Sequence, residues 1–469
     1  MKHVDRIARR GGPCDLYPEI EKYSLGCVRR TRLPKQKLLY EPLLNIKPTY
    51  QPAPLNGVSL VNGFLKWKHP QRASITTMER LEIMGWLEDY LGFYLNTKLW
   101  NEDEILECID PTKACGPPYC FVHGPTKGHV LEQVTIGELM EDFDQFSQLS
   151  LATLKMETRK IGKDARLFIP ANIAMVVMGN HLFGSQNQSI IDYHNDLCIK
   201  IGLSSPGFEA YKLWWDFSRK IGEFHQFDGA QNDAHMSLEV LSIIRDLRKL
   251  YIPEEEHDRV DRYYNMTHCG YTMVGGHLVE MNGQPSGQTN TAHDNSLAVL
   301  ILLMLNAIRN GIDYVRFREL LNDVVIMGDD LMLCDSTGVF DPVHLEQTWD
   351  SCGMYLECPA LHEHYEDMTF IGMHPTRERG ELLYSYNLEK MMNNFEYRRR
   401  NHTPQIHLQK LVNLCYLVFA HRTEFEMMRE AAYQYYRDNE MHMTDDDRRL
   451  LMILQDLTQL NRYKGLIEC

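Results

Sequence analysis

The 469-residue chain has no Cys-x-x-Cys pair, no internal repeat, no low-complexity stretch and no apolar run of membrane-spanning length. Its twelve cysteines are scattered, which fits a reducing compartment and free buried thiols. Cys352, Cys358, His362 and His364 lie close together, but their spacing matches no standard zinc finger, so solvated loop histidines are expected there. The longest apolar run, Leu297 to Leu305, falls far short of the roughly 20 residues a spanning helix needs, and it reads as a buried core helix. No apolar stretch follows the charged start Met1 to Arg10, so no signal peptide is expected. Positive charge is also in deficit: 49 Lys and Arg stand against 64 Asp and Glu, a net charge of −15. That balance argues against a protein that binds nucleic acid through bulk attraction. The cations that exist are concentrated in three runs: Arg29, Arg30, Arg32, Lys35 and Lys37, then Lys155, Arg159, Lys160, Lys163 and Arg166, then Arg398 to Arg400. Because charges beyond a Debye length are screened, this grouping fits a positively lined channel inside a negative shell. The hydrophobic share of 44% and charged share of 24% are those of a globular protein, which excludes collagen, mucin and disordered-tail classes.

A chain this long forms two or three packed regions or one multi-lobed enzyme. The first sixty or so residues are rich in proline (Pro34, Pro48, Pro52, Pro54) and read as extended chain draped over another surface. Thr76 and Glu79 form a capping box, with Met78, Leu81, Met84, Leu87 and Leu91 following as the expected apolar stripe of a helix. Residues 100–130 look loop-like. Asp323 to Cys334 reads as two short apolar strands joined by a tight turn at Gly328-Asp329. Toward the C-terminus, Thr423 with Glu426 and Thr444 with Asp447 mark helix starts. Phe425, Met428 and Ala432 follow the first, and Leu450, Leu451 and Leu454 follow the second. The order suggests an α/β catalytic middle between an irregular N-terminal lobe and a helical C-terminal lobe.

Four segments carry chemistry. Asp329 and Asp330 sit together at the hairpin turn, where like charges raise one pKa or demand a cation. Mg²⁺ meets that demand with one or two protein carboxylates, leaving water and phosphate to complete its octahedron. Upstream, Asp228 ends a short strand-like piece and Asp233 follows it. An acid there would meet the hairpin from a neighbouring strand, the arrangement that phosphoryl transfer with two metals asks for. Between them runs Gly283-Gln-Pro-Ser286-Gly287, a flexible loop leading through Thr291 and Asn295 into the apolar helix. Its plain alternative is a helix N-terminus with ordinary capping residues. The segment holding Lys155, Arg159, Lys163 and Arg166 suits triphosphate oxygens.

A basic segment, Asp-x4-Asp, Ser-Gly-x3-Thr-x3-Asn and Gly-Asp-Asp, in that order, closely resembles motifs F, A, B and C of viral RNA-dependent RNA polymerases of the picornavirus-like group. Met368 to Gly372 resembles motif E, and Thr126-Lys127-Gly128 resembles motif G. The specific motifs cover about residues 150–375. The resemblance implies an α/β (α+β) right-hand fold closed by N-terminal fingertips. Fingers would take residues 1–205 and 241–280, the palm 206–240 and 281–378 around a central antiparallel sheet, and a helical thumb 379–469. It further implies two Mg²⁺ or Mn²⁺ ions on Asp228 and Asp329 with Asp330 as a partial ligand. Lys155, Arg159, Lys163 and Arg166 would hold the triphosphate. Asp233 and Asn295 would sense the ribose 2′-hydroxyl, Ser286 and Gly287 would form the mobile motif B loop, and Thr291 would support Asp233. The implied partners are RNA template and primer, ribonucleoside triphosphates and other viral replication proteins, in the host cytoplasm within replication complexes. The chain departs from the pattern in having Met327 before Gly-Asp-Asp, and in lacking any lysine between Lys249 and Lys390 to serve as the motif D acid. His362 or His364 is the expected substitute, since an imidazole is a competent acid near neutral pH. A reverse transcriptase and a non-catalytic RNA-binding protein with a degenerate polymerase fold are the alternatives. The first usually lacks Gly-Asp-Asp and an Asn at the position of Asn295, and the second would not need intact acids.

Overall fold

A computed structural model describes residues 10–11, 49–68, 74–95, 98–145, 149–203, 208–229, 232–274, 277–378, 381–395, 403–419 and 421–454. The basic runs at 29–37 and 398–400, and most of the proline-rich start, lie outside them. The fold mixes helix and sheet, and its centre is a four-stranded antiparallel sheet. Its strands are β1 (Glu223–Gly229), β2 (Val324–Met327), β3 (Asp330–Asp335) and β4 (Leu356–His362), in the spatial order β2-β3-β1-β4. Strands β2 and β3 form the expected hairpin, in which Gly328 takes φ of 66°, a left-handed turn conformation that favours glycine.

Alternation along these strands sends side chains to two different cores. Val324, Ile326, Phe227, Leu331 and Leu333 face the main hydrophobic core, built with α1 (Thr77–Leu91), α2 (Ile173–Asp192), α3 (Leu238–Lys249), α4 (Thr291–Arg309) and α5 (Pro342–Ser351). Val325, Met332, Cys334 and Phe224 face a second cluster with the helix Phe208–Phe217 and the hairpin β5 (Met373–Glu378) and β6 (Glu381–Tyr386). A helix apolar on nearly every side belongs inside a protein. Accordingly α4, which contains Leu297 to Leu305, is long and apolar enough to cross a membrane, yet 83% of that window is buried in the protein.

The C-terminal helices α6 (Pro404–Leu417), α7 (Arg422–Asp438) and α8 (Asp445–Ile453) close their own core around Leu408, Leu411, Phe425, Met428, Ala432 and Leu454. The Thr444–Asp447 capping box forms as expected. Thr423 does not cap: α7 starts one residue earlier, and Glu426 pairs with Arg422 and Arg429 instead. In α1 the Thr76–Glu79 box also forms, but Met78 and Leu81 are 74% and 62% exposed. The buried face is Ile83, Trp86, Leu87, Tyr90 and Leu91, because the first turn projects beyond the core and the two aromatic residues supply the buried volume. Residues 100–130 are more ordered than expected, with helices at Glu102–Cys108, Tyr119–Val122 and Lys127–Leu131; the first has its own Asn101–Glu104 capping box. A further sheet joins Arg10–Gly11, His277–Asn282, Cys269–Val274 and Leu149–Leu151, and Tyr50–Pro52 pairs with Thr158–Lys160. The eight cysteines whose side chains are described are free thiols.

Candidate active site

Register brings the acids together. Asp330, the first residue of β3, pairs directly with Asp228 near the end of β1, and Glu357 on β4 pairs with Asp228 from the other side. Directly opposed residues of an antiparallel pair share a face, so Asp330, Asp228 and Glu357 form a row across three strands. Asp329 occupies the β2–β3 turn, and its carbonyl accepts a hydrogen bond from the Gly229 N–H at 3.3 Å. Gly229 permits this approach: a Cβ there would stand 3.0 Å from the Asp329 Cβ. The turn is clasped from the helical side as well, where the buried Ser296 Oγ on α4 accepts from the Gly328 N–H at 2.8 Å and donates to the Ala292 carbonyl at 2.9 Å.

Burial, with crowding at Asp228 and Asp330, raises the affinity of these acids for protons. Burial, followed by the charges of Asp329 and Glu357, pushes Asp228 up to about 6. Burial, then Asp329 and Asp228, pushes Asp330 up to about 7, against the opposing influence of the Ile371 N–H and Lys390. Burial also raises Asp329, while a backbone hydrogen bond and Arg166 pull it down. A hard divalent cation is the species that relieves such repulsion, and an all-oxygen donor set suits Mg²⁺ or Mn²⁺. Among the described residues, no group of three or more His, Cys, Asp or Glu side chains is placed to hold a metal ion together. Cys352 is buried in the main core, and the Cys358 side chain lies outside the described part, so the cysteine–histidine group forms no metal site among the described residues.

The basic segment folds into a small hairpin in which Thr153–Leu154 pairs with Leu167–Phe168. Arg166 makes two 2.6 Å hydrogen bonds to Glu157 and lies within electrostatic reach of Asp329. Burial alone would raise Glu157, but Arg166, Lys155 and Arg159 hold it below the usual carboxylate range. Arg159 donates to the Asp164 carbonyl at 2.7 Å, and Lys155 and Lys163 are exposed. The chain leaving this hairpin touches the motif B loop: the Ala171 N–H donates to the Gly287 carbonyl at 3.2 Å, and Pro170 bridges Gly287. Any Cβ on Gly287 would fall 2.3 Å from the Pro170 Cα, so only glycine fits. Ser286 is half-buried, and Thr291 donates within the loop to the carbonyls of Gln288 at 3.0 Å and Pro285 at 3.3 Å. Asn295 is buried, and its Oδ1 has no partner among the described residues. Asp233 lies in the short helix Asn232–His235, its side chain outside the described part.

His362 and His364 are not brought to the acids. His362 pairs with Phe224, four residues along β1 from Asp228, on the order of 13 Å at about 3.3 Å per residue. His364 is exposed beyond the strand. Spacing along the chain suggested them, but β4 runs antiparallel to β1 and carries them away from the acid end. Sequence reasoning missed Glu357, visible only through strand register, and Ser296, whose partner is a backbone N–H. It also missed the ion pair beneath the motif B helix. There Arg248 and Asp294, each 2% exposed, bond at 2.7 Å, with Gln186, Asn187 and Tyr264 completing the network.

With this geometry in place, comparison with known proteins is informative. The sequence profile of a family described as viral RNA-dependent RNA polymerase matches residues 48–437. The genome polyprotein of Turnip mosaic virus (strain Japanese) is 23% identical over 319 residues, covering 63% of this chain and 10% of that protein. Genome polyprotein 1 of Barley mild mosaic virus (strain Na1) is 22% identical over 220 residues, covering 44% of this chain and 10% of that protein. The chain thus spans about a tenth of the length of the curated relatives it matches. A family match over most of the chain, joined to acids gathered at the end of an antiparallel sheet, leads to one conclusion: the chain belongs to the viral RNA-dependent RNA polymerases, a family of RNA-directed RNA polymerases.

Proposed function

We propose that this chain adds ribonucleotides to an RNA 3′ end under the direction of an RNA template, releasing pyrophosphate and replicating a viral RNA genome in the host cytoplasm. The observation that carries this reading is the meeting of Asp228 and Asp330 in register with Asp329 in the adjoining turn. Asp228 and Asp329 would hold two divalent ions, Mg²⁺ or Mn²⁺, with Asp330 as a partial ligand. When bound, such ions lower the barrier by activating the attacking 3′-hydroxyl and neutralising charge on the triphosphate. The protein's part is placement. Ser296 and Gly229 fix the turn that aims Asp329, and Arg166, with Lys155, Arg159 and Lys163 around it, attracts the triphosphate to that side. Asn295 and Asp233 would read the ribose. Ser286 and Gly287 would form the mobile motif B loop, with Thr291 supporting Asp233.

The separate C-terminal core supports a thumb, while the main core is shared by the segments read as palm and fingers. The C-terminal cluster would be the thumb (379–469), the central sheet the palm (206–240 and 281–378), and the remainder the fingers (1–205 and 241–280). Contact between Tyr50–Pro52 and the helix Leu388–Phe395 supports a bridge from the N-terminal region to the thumb side. Other viral replication proteins would be partners.

The test is primer extension on a homopolymer RNA template with Mg²⁺ or Mn²⁺, wild type beside Asp329→Ala. Extension by the wild type and a loss of several orders of magnitude in the variant are expected. RNA binding without any extension would favour a non-catalytic scaffold. Deoxyribonucleotide incorporation equal to ribonucleotide incorporation would favour a reverse transcriptase.

A further inference from the structure

Asn232 opens the short helix that follows β1, immediately before Asp233, and no motif assigns it a role. Its side chain is only 6% exposed, and its Nδ2 has no hydrogen-bond partner among the described residues. Its position is fixed by the gap at Gly229. A Cβ built there would lie 3.0 Å from the Asp329 Cβ and 3.4 Å from the Asn232 Oδ1, so the carboxamide lies against the catalytic turn. Buried donors without acceptors are rare in native proteins and call for an explanation. The opposite deficit stands on α4, where Asn295 Oδ1 is buried without a donor among the described residues and the next residue, Ser296, holds the same turn through Gly328. One orphan donor therefore lies beside this turn, and one orphan acceptor sits on the helix whose next residue holds it. A hydroxyl group both accepts and donates, so it is the kind of group that can meet either need.

We propose that Asn232 is a further specificity-determining residue, donating through Nδ2 to a ribose hydroxyl oxygen of the incoming ribonucleotide while Asn295 accepts a hydroxyl proton. This rests on the polymerase reading above. The Asn232 carbonyl accepts from the Met236 N–H at 2.9 Å through backbone alone, so side-chain replacement leaves that helix contact in place.

The experiment uses the full chain and single-nucleotide incorporation on one primer–template. It compares kcat/KM for a ribonucleotide with those for its 2′-deoxy and 3′-deoxy analogues. Asn232→Leu keeps the approximate volume and removes the donor, Asn232→Ser retains a hydroxyl donor, and Asn295→Ala is the reference. Asn232→Leu should lower the preference for the ribonucleotide over one of the two analogues about 3- to 10-fold. Its thermal midpoint should be equal or higher, because an unpaired buried amide has been replaced by an apolar group. Asn232→Ser should recover most of the preference. An equal loss for all three nucleotides, as a phosphate contact would give, overturns the proposal. So does a fall in thermal midpoint with preference unchanged, as a structural role would give. If in either case Asn295→Ala still loses ribose preference, the polymerase reading survives. A wild type that incorporates nothing sinks both.

Discussion

Replacing Ser296 with alanine isolates the contact that holds the catalytic turn. The Ser296 hydroxyl is fully buried and accepts the Gly328 N–H at 2.8 Å, so the variant leaves that N–H without its acceptor. An unsatisfied buried donor costs about 1–3 kcal/mol. Gly328 is half-buried, and water can reach part of the turn, which places the expected loss near 1 kcal/mol. The larger consequence is positional. With Gly328 φ at 66° and Asp329 next to it, loosening the turn moves a metal-binding carboxylate, and a displacement on the order of 1 Å costs up to about 100-fold in rate. Single-turnover incorporation across a Mg²⁺ titration is the assay. Ser296→Ala should lower the maximal rate about 10-fold or more and raise the Mg²⁺ concentration required, with only a small shift in urea midpoint. Rates within twofold of wild type, at an unchanged Mg²⁺ requirement, would refute the clasp.

Arg248→Met leaves Asp294 buried and uncompensated, and should destabilise the fold by about 3–5 kcal/mol in urea unfolding. The double variant with Asp294→Leu should recover part of that loss, and a cycle with no coupling would contradict the pairing. Gly287→Ala places a methyl 2.3 Å from the Pro170 Cα, so it should cost about 1–3 kcal/mol and most of the extension activity; a wild-type urea midpoint would show that the two segments do not meet. The raised carboxyls predict a pH effect in EDTA. Asp228 at about 6 and Asp330 at about 7 bind protons more tightly folded than unfolded, so stability is present at low pH and falls as pH rises from about 4 to about 7. Thermal midpoints should decline across that window without metal and stay nearly level with Mg²⁺; a flat profile in EDTA would contradict the crowding.

The sequence carried the catalytic hairpin because its two apolar strands and glycine turn are local features. Asp228 was legible as a strand-end acid, and α4 as buried, for the same reason. Cross-strand relations were not legible. Glu357 reaches Asp228 only through the pairing of β4 with β1, and the same antiparallel course removes His362 from the site that chain distance suggested. Helical periodicity found α1 but not its buried face, since Met78 and Leu81 precede the point where the helix meets the core. The Asn101 cap and the Arg248–Asp294 pair joined residues whose meaning depends on partners elsewhere in the fold or on a short helix inside a proline-marked stretch.

The most direct measurement replaces Mg²⁺ with Fe²⁺ in the presence of RNA and nucleotide, and maps where locally generated hydroxyl radicals cut the chain. Cuts should cluster around residues 228–229 and 328–330 in the wild type and disappear in Asp329→Ala. Strong cleavage at only one of the two segments, or at neither, would contradict a shared divalent-ion site built from β1 and the β2–β3 turn.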